Sequence, residues 1–342
     1  SRSSWEDGEK PMRAVRKSII LILLGSQILL AGEYADAFLL ASQHPQVQSL
    51  GYSSVATRVG SGHALNNPAG FAVGERTQHV SLVYQGFQGL SNNLAIEGKY
   101  NLGDSYVLGV TVIHSSVDDL FSRPNLSALT PADRRDSVLA LGNIQGSLID
   151  YREDGAFISL ARQFEFEFNL GWKFFKIPCR LPIGASAKYI DKVLVDNRGL
   201  GFGIDIGSQL FFNLAGMSKI FSRTEFGLGL FLSDILNTPV YWTTKHQDAI
   251  KRSLVGGFSI TQNLPKYASQ LTISSSVQSR YTNVRQYGIA IKVKDTVFLR
   301  GGYDGYTPSL GLGIGLKKFI IDYSFSQHEL ANMQKIGINY HF

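Results

Sequence analysis

The chain has almost no cysteine and no apolar run long enough to cross a membrane as a helix. Cys179 is the only thiol among 342 residues, so no disulfide can form within the chain. The longest apolar stretch, residues 18–31, is interrupted by Gly25, Ser26 and Gln27, and it falls short of the roughly 20 residues that a spanning helix needs. If the rest of the chain spans a membrane, it must therefore do so as a closed β-barrel.

The sequence also lacks the common signatures of enzymes and of metal or cofactor sites. It contains no H-x-x-x-H, C-x-x-C or EF-hand spacing and no G-x-S-x-G elbow. Residues 199–203 are rich in glycine, but they lie inside a predicted strand and not at the strand-to-helix turn of a dinucleotide site. We therefore predict a non-enzymatic protein without metal or cofactor. A lipase built on such a barrel is the alternative, because a catalytic triad is recognised by geometry and not by spacing.

The positive charge does not indicate a nucleic-acid partner. The net charge of +6 comes from lysines and arginines that are dispersed along the chain. Proteins that bind nucleic acids usually concentrate these residues on one helix or patch. We expect no nucleic-acid partner.

The N-terminal residues are typical of a secretory signal peptide. A basic segment from Met12 to Lys17 precedes the apolar stretch, and Ala35-Asp36-Ala37 provides an A-x-A cleavage site before Phe38. We interpret residues 1–37 as an upstream extension plus signal peptide and exclude them from the fold. Residues 38–342 are then the mature chain.

From residue 78 onwards, apolar and polar side chains alternate over runs of roughly ten residues, which is typical of strands with one apolar face. About 14 strands are predicted: 78–87, 91–101, 104–116, 156–164, 182–194, 199–213, 222–233, 250–261, 268–280, 283–293, 296–303, 308–316, 318–326 and 333–342. In the last run Ile336, Ile338, Tyr340 and Phe342 share one face. A chain that ends on such a strand resembles bacterial outer-membrane β-barrels, in which Tyr340 and Phe342 would act as the assembly signal.

Glycine occupies one face of several predicted strands. In residues 200–207, large apolar side chains alternate with positions that include Gly201 and Gly203, and residues 226–230 and 310–316 repeat the pattern. Small and polar residues would line the interior, and large apolar residues would face lipid. This arrangement suits a barrel with space or a plug inside.

The fifth and sixth predicted strands form a hairpin that allows one side-chain pair to be predicted. If its turn is centred between Asp196 and Asn197, Lys188 lies directly opposite Asp205 on the lumenal face. We predict a lumenal Lys188–Asp205 ion pair that braces the wall. Arg162 on the preceding strand is a candidate third member, although its parity also matches apolar neighbours.

The two longest loops, 117–155 and 233–250, fall on the extracellular side if both ends of the barrel chain are periplasmic. They carry apolar and aromatic side chains, including Phe121, Tyr241 and Trp242. We expect these residues to form either a binding surface at the barrel mouth or an aromatic belt that faces lipopolysaccharide.

Residues 38–77 precede the first strand and contain the compact turn Asn67-Pro68-Ala69-Gly70. Between a signal peptide and about 14 strands, this turn resembles the N-terminal hatch of outer-membrane fatty-acid-transporter-like barrels, and especially of their PorV/PorQ relatives. Further similarity lies in residues 161–164, 184–190, 203–207 and 299–303. The resemblance implies a barrel over residues 78–342 that is plugged by residues 38–77.

The resemblance implies two functions. PorV-type proteins serve a secretion system by receiving cargo proteins and delivering them at the cell surface, and this is our first expectation. Members of the wider group pass hydrophobic small molecules, which is the alternative. Residues 53–58 depart from the family's glycine- and alanine-rich run, so the subfamily stays open. The expected partners are outer-membrane lipid, lipopolysaccharide and the barrel-assembly machinery, together with secreted cargo or a hydrophobic solute.

Overall fold

The computed structural model describes residues 36–342 apart from 75–76, 88–90, 119, 123–125, 127, 141–147, 170, 172–175, 215–222, 281 and 328–331. The predicted signal peptide, residues 1–37, lies almost wholly outside the described residues. No helix in the described part is long and apolar enough to cross a membrane.

The described residues form sixteen strands, fourteen of which make a closed antiparallel barrel. The wall strands are β1 (His79–Phe87), β2 (Ser91–Leu102), β3 (Tyr106–Ser116), β4 (Tyr151–Asn169), β5 (Lys176–Leu194), β6 (Asn197–Asn213), β7 (Thr224–Ser233), β10 (Ser253–Leu264), β11 (Ser269–Ser279), β12 (Asn283–Val293), β13 (Val297–Tyr303), β14 (Pro308–Leu316), β15 (Phe319–Ser326) and β16 (Met333–His341). Strand β1 pairs with β16, with Ser81 opposite Asn339, and this pairing closes the barrel. The predicted all-β antiparallel barrel of about 14 strands is confirmed.

Two short strands, β8 (Pro239–Trp242) and β9 (Gln247–Ala249), form a hairpin on β6. They continue the wall where β7 has ended. Strands β4 and β5 contain 19 residues each, so most of the connection between the predicted fourth and fifth strands is extended hairpin.

The outer surface of the wall is apolar, and its inner surface is polar. On β16, Ile336 and Ile338 are 49% and 40% exposed, whereas the alternating Lys335 and Asn339 are buried at 0% and 1%. The other wall strands repeat this division. An apolar surface that surrounds a closed barrel requires lipid around it, and the protein is therefore an outer-membrane β-barrel.

The connections distinguish the two ends of the barrel. Short turns such as 103–105 and 317–318 lie at one end, and loops 117–150 and 234–252 leave the other. In outer-membrane barrels, short turns are periplasmic and long loops are extracellular. We name the two ends accordingly.

Residues 36–74 lie inside the barrel and are called the hatch below. The hatch contains α1 (Ala37–Ala41), α2 (Pro45–Ser49), α3 (His63–Asn66) and two 3-10 turns, Ser54–Ala56 and Pro68–Ala72. The His44 imidazole Nδ1 accepts a hydrogen bond from the Gln46 N–H at the start of α2, at 3.2 Å. Burial lowers the pKa of His44 to about 4, so the ring is neutral and able to accept this bond. One further helix, α4 (Pro131–Ala140), is exposed in the first long loop.

Candidate functional site

The predicted Asn-Pro-Ala-Gly turn attaches the hatch to the wall. Asn67 caps the 3-10 turn, because its Oδ1 accepts the Ala69 N–H at 3.1 Å. Its Nδ2 donates to the carbonyls of Ser208 and Leu230 at 3.2 and 3.3 Å. These two carbonyls belong to β6 and β7, so one buried side chain connects the hatch to two wall strands.

The glycine face of the wall lies against the hatch backbone. A Cβ on Gly184 would lie 2.5 Å from the Pro68 carbonyl carbon and 2.6 Å from the Ala69 nitrogen. A Cβ on Gly229 would collide with the Val55 carbonyl in the same way. Real Cβ atoms essentially never come within 3.0 Å of another heavy atom. Glycine at these positions therefore lets the hatch backbone approach the wall closely.

A cluster of four buried charges lies above the hatch, towards the extracellular end. The Lys188 Nζ is 2.8 Å from Asp205 Oδ1 and 2.6 Å from Asp234 Oδ1. The Arg280 Nη2 is 2.9 Å from Asp234 Oδ2. The side chains of Lys188, Asp205 and Asp234 are at most 2% exposed. We call these four residues the mouth charge cluster.

The formal charge of this cluster is balanced. Asp36 also contacts Arg280, but Asp36 precedes the predicted cleavage site and would be absent from the mature chain. Without it, two positive groups face two negative groups. Buried charges are tolerated when they are paired and hydrogen-bonded. If the predicted cleavage removes Asp36, the four remaining charges pair with one another and need no charged ligand.

The predicted Lys188–Asp205 ion pair is present, but the predicted register was wrong. Lys188 lies opposite Gly203, and Asp205 lies opposite Ser186, because the hairpin turn is Val195–Asp196 and not Asp196–Asn197. A shift by two residues keeps every side chain on the same face. The long lysine side chain then reaches the carboxylate along the diagonal of the ladder.

The prediction that Arg162 joins the lumenal charges was wrong. Its guanidinium lies 5.2 Å from the ring centroid of Tyr106 and 4.8 Å from that of Phe164. Both aromatic residues are more than 40% exposed on the outer surface. Arg162 shares this face with Ile158 and Leu160 because strand residues two apart point the same way.

A cavity of about 700 Å³ opens between the hatch and the extracellular half of the wall. Its apolar lining comes from the hatch and from the wall: Phe38, Leu39, Leu40, Leu65, Phe157, Phe231 and Val255. Its polar lining includes all four members of the mouth charge cluster. The cavity therefore combines an apolar body with one strongly polar side.

The three predicted loop residues are not among the residues that line this cavity. Phe121 forms an isolated bridge with Leu148. The Trp242 Nε1 donates to Asp248 at 2.7 Å within the β8–β9 hairpin. Tyr241 is 59% exposed. It lies opposite Leu200 on β6 and points outwards, as a residue of an aromatic belt would. A ligand-binding role for these residues stays a prediction.

The predicted assembly residues form an aromatic cluster at the periplasmic end. The Tyr340 ring lies 4.8 Å from Phe319 and 5.0 Å from Phe342 between centroids. Phe342 is 64% exposed, and its N–H donates to the Gln78 carbonyl at 3.1 Å. Their role in assembly stays a prediction.

Sequence reasoning missed two members of the mouth charge cluster. Asp234 follows the end of β7, and Arg280 follows the end of β11. Both could have been noticed as charges at the extracellular ends of predicted strands. Asp234 meets both Lys188 and Arg280, and these residues come from strands far apart in the sequence, so no local pattern reveals the cluster.

The comparisons with known proteins give distant similarities only. No family model and no curated protein matches the chain. Similar solved structures include FadL-like and other outer-membrane barrels. The Pseudomonas putida toluene transporter TodX has 9% identity and a TM-score of 0.41, with 86% of this chain and 95% of that chain covered. A Pseudomonas aeruginosa FadL homologue has 9% identity and a TM-score of 0.40, with coverage of 88% and 98%.

The KdgM porin is also similar, with 9% identity, a TM-score of 0.34 and coverage of 77% and 99%. These similarities are too low to assign the chain to a family or to transfer a function.

Proposed function

We propose that this protein is a non-enzymatic outer-membrane barrel that binds a hydrophobic small molecule at its extracellular mouth, as the first step of uptake. The cavity above the hatch carries the proposal. Its volume of about 700 Å³ falls in the range of roughly 300 to 1,000 Å³ that is usual for small-molecule sites. The apolar part of its lining matches a solute that is poorly soluble in water.

The polar side of the cavity narrows the class of solute. Because the mouth charge cluster is balanced internally, it does not require a counter-charge from the ligand. A neutral hydrocarbon, or an amphipathic molecule with one polar end near Arg280, would fit both surfaces. A large hydrophilic solute would leave Phe38 and Phe231 in contact with polar groups and would bind weakly.

The hatch blocks the passage of a solute through the barrel. Its backbone lies directly against the lumenal glycines, and its polar side chains bond to the wall. A solute in the cavity can therefore pass the barrel only if the hatch moves. Passage would depend on hatch displacement, and binding at the mouth would not.

Ligand binding can be measured with the full mature barrel in lipid nanodiscs. Equilibrium dialysis against labelled naphthalene, octanoate and glucose would compare a neutral apolar, an amphipathic and a hydrophilic probe. We expect saturable binding of naphthalene or octanoate above the level of empty nanodiscs, and no saturable binding of glucose. The absence of saturable apolar binding would overturn the proposal.

A pair of matched variants locates the binding. Leu65→Asp places a charge in the cavity lining, and we expect it to weaken apolar binding at least tenfold. Leu236→Asp makes the same change at a loop residue that is 70% exposed and does not line the cavity, so binding should be unchanged. Equal binding by both variants would show that the ligand lies elsewhere.

The PorV/PorQ secretion function is the competing proposal. It requires a protein-binding surface on the extracellular loops. Affinity purification of the barrel from its own cell envelope would test it. Specific recovery of secreted proteins with a shared terminal domain, without saturable small-molecule binding, would favour that function.

A further inference from the structure

Three buried side chains that can bind a metal meet where the hatch touches the first two wall strands. His63 belongs to α3 of the hatch, His79 begins β1, and Glu97 belongs to β2. They are 2%, 3% and 4% exposed. Glu97 lies opposite Ser81 on β1, which places His79 and Glu97 diagonally on the same lumenal face.

The side chains are arranged around a common point. One ligand atom from each residue lies within 4.8 Å of the other two. The His79 Nε2 is 3.9 Å from Glu97 Oε1, which is too far for a hydrogen bond. The rings of His63 and His79 are 6.1 Å apart between centroids and inclined at 63°.

Each of the two imidazoles carries one buried nitrogen that has no protein partner. Within the described residues, neither His63 Nδ1 nor His79 Nε2 makes a hydrogen bond, although both atoms are buried. Leaving a buried polar atom unpaired costs about 1 to 3 kcal/mol. Two such atoms beside one carboxylate point to a bound group that satisfies them together.

Glu97 is already oriented by its surroundings. Its Oε1 accepts the Gly62 N–H at 2.9 Å. Its Oε2 accepts the Ala64 N–H and the Thr111 hydroxyl, each at 3.3 Å. Outer contacts of this kind fix the direction of a ligating carboxylate, and Oε1 keeps a lone pair for a metal.

We propose that His63, His79 and Glu97 bind a divalent transition metal of the zinc type, with water as the fourth ligand. Two imidazoles and one carboxylate form a known zinc ligand set. Ligand bonds of about 2.0 to 2.2 Å place the ligands of a tetrahedral zinc roughly 3.4 Å apart. The distances between the ligand atoms must therefore shorten from at most 4.8 Å to roughly 3.4 Å, which rotations about the side-chain χ angles can supply.

The neighbouring charge argues for nitrogen ligation. Lys99 lies opposite His79 in the β1–β2 ladder, and its ammonium repels a cation at this site. Calcium and magnesium bind mainly through oxygen and charge attraction. Zinc forms strong bonds to imidazole nitrogen, so it tolerates this neighbour better.

A metal here would fix the hatch to the wall. His63 moves with the hatch, whereas His79 and Glu97 belong to strands next to the β1–β16 closure. Binding that requires all three stabilises the closed arrangement. The metal would fix the hatch in this way whichever solute or cargo the protein handles.

The site can be tested by measuring the metal content of the full barrel in nanodiscs. The protein would be equilibrated with Zn²⁺, passed through a desalting column and analysed by plasma mass spectrometry. We expect one zinc per chain, and an affinity at least 100-fold weaker in His79→Gln and in Glu97→Gln. Failure of the parent protein to retain zinc would overturn the proposal.

Two exposed histidines provide matched controls. His114 Nδ1 lies 2.7 Å from Asp154, and His246 Nε2 lies 3.0 Å from Asp248. Within the described residues, these exposed pairs are positions where zinc would bind adventitiously. His114→Gln and His246→Gln should keep the tight zinc, and its loss in either would assign the metal to the surface.

Co²⁺ provides a readout that needs no variant, in case a site variant does not fold. In the parent protein, the intense visible bands of four-coordinate cobalt with nitrogen and oxygen ligands would support the site. The weak spectrum of six-coordinate cobalt would overturn it. His79 does not line the cavity, so His79→Gln should keep naphthalene binding, and a failure of ligand binding and a failure of metal binding are distinguishable.

Discussion

Replacing Gly184 with alanine should loosen the hatch without unfolding the barrel wall. The new Cβ would lie 2.5 Å from Pro68 backbone, where ordinary contact begins at 3.4 Å. The hatch must therefore retreat by about 0.9 Å, the difference between these distances. A backbone group cannot avoid the clash by changing rotamer, so the strain falls on the hatch contacts.

The size of the effect follows from the cost of overpacking. An extra methyl group in a well-packed interior typically costs about 1 to 3 kcal/mol. The wall strand carries a continuous ladder of backbone hydrogen bonds, while the hatch is held by side-chain bonds such as those of Asn67 and by apolar contacts such as those of Phe71. If the strain displaces the hatch, the open population should rise about 5- to 150-fold.

A buried thiol on the hatch reports the open population. Ser54 is fully buried, and Ser54→Cys in a Cys179→Ser background places one reactive thiol there. Its labelling by a bulky thiol reagent should accelerate in Gly184→Ala. Gly301→Ala is the matched control, because its Cβ would meet neighbours at 3.7 Å or more. Equal labelling rates in both variants, with folded barrel confirmed by heat-modified electrophoretic mobility, would refute the reasoning.

Three further substitutions test the charges and the assembly signal. Lys188→Met should lower barrel stability by about 3 to 5 kcal/mol, because it leaves Asp205 and Asp234 as buried carboxylates without their lysine. Thermal unfolding measures this loss. The double variant Lys188→Met with Asp205→Asn should recover part of it. No recovery in the double variant would contradict the pairing. Arg162→Ala should cost about 1 kcal/mol or less, because the residue is on the outer surface, and a loss as large as that of Lys188→Met would return it to the lumenal cluster. Phe342→Ala should reduce the amount of folded barrel in outer-membrane fractions, and normal amounts would contradict an assembly role.

The sequence predicted the wall well because each strand obeys a local rule. A strand that separates lipid from a polar interior must alternate with period two, so the apolar and glycine positions show its face directly. For example, Phe202 and Ile204 are 68% and 46% exposed, as their parity predicts. The same rule does not fix register, because a shift by two residues leaves every face unchanged. That is why the Lys188 ladder partner was wrong while its ion pair was found.

The sequence prediction failed in two other places: where the charge of a residue and its position on the strand indicated opposite faces, and where a site is built from elements that are distant in sequence. Arg162 is charged, but it lies on the same strand face as outward apolar residues. Its guanidinium stacks over the Tyr106 ring, and this cation–π contact lets a charged side chain lie on the outer surface. The metal-ligating candidates His63, His79 and Glu97 belong to a helix and two strands, so no short spacing motif connects them. Only the position of the hatch inside the barrel brings them together.

The lumenal glycines connect the sequence pattern to the proposed gating. An open aqueous pore could use serine or alanine on its inner face, because neither would meet anything there. Glycine is required where another group lies directly against the wall, as the Pro68 backbone does at Gly184 and the Phe71 ring does at Gly109. Glycine on one strand face therefore predicts a plug that packs closely against the wall. Contacts of this kind depend on shape and contribute little apolar burial of their own, so what opposes a shift of the hatch is the apolar packing of residues such as Phe71 and Val55 against the wall.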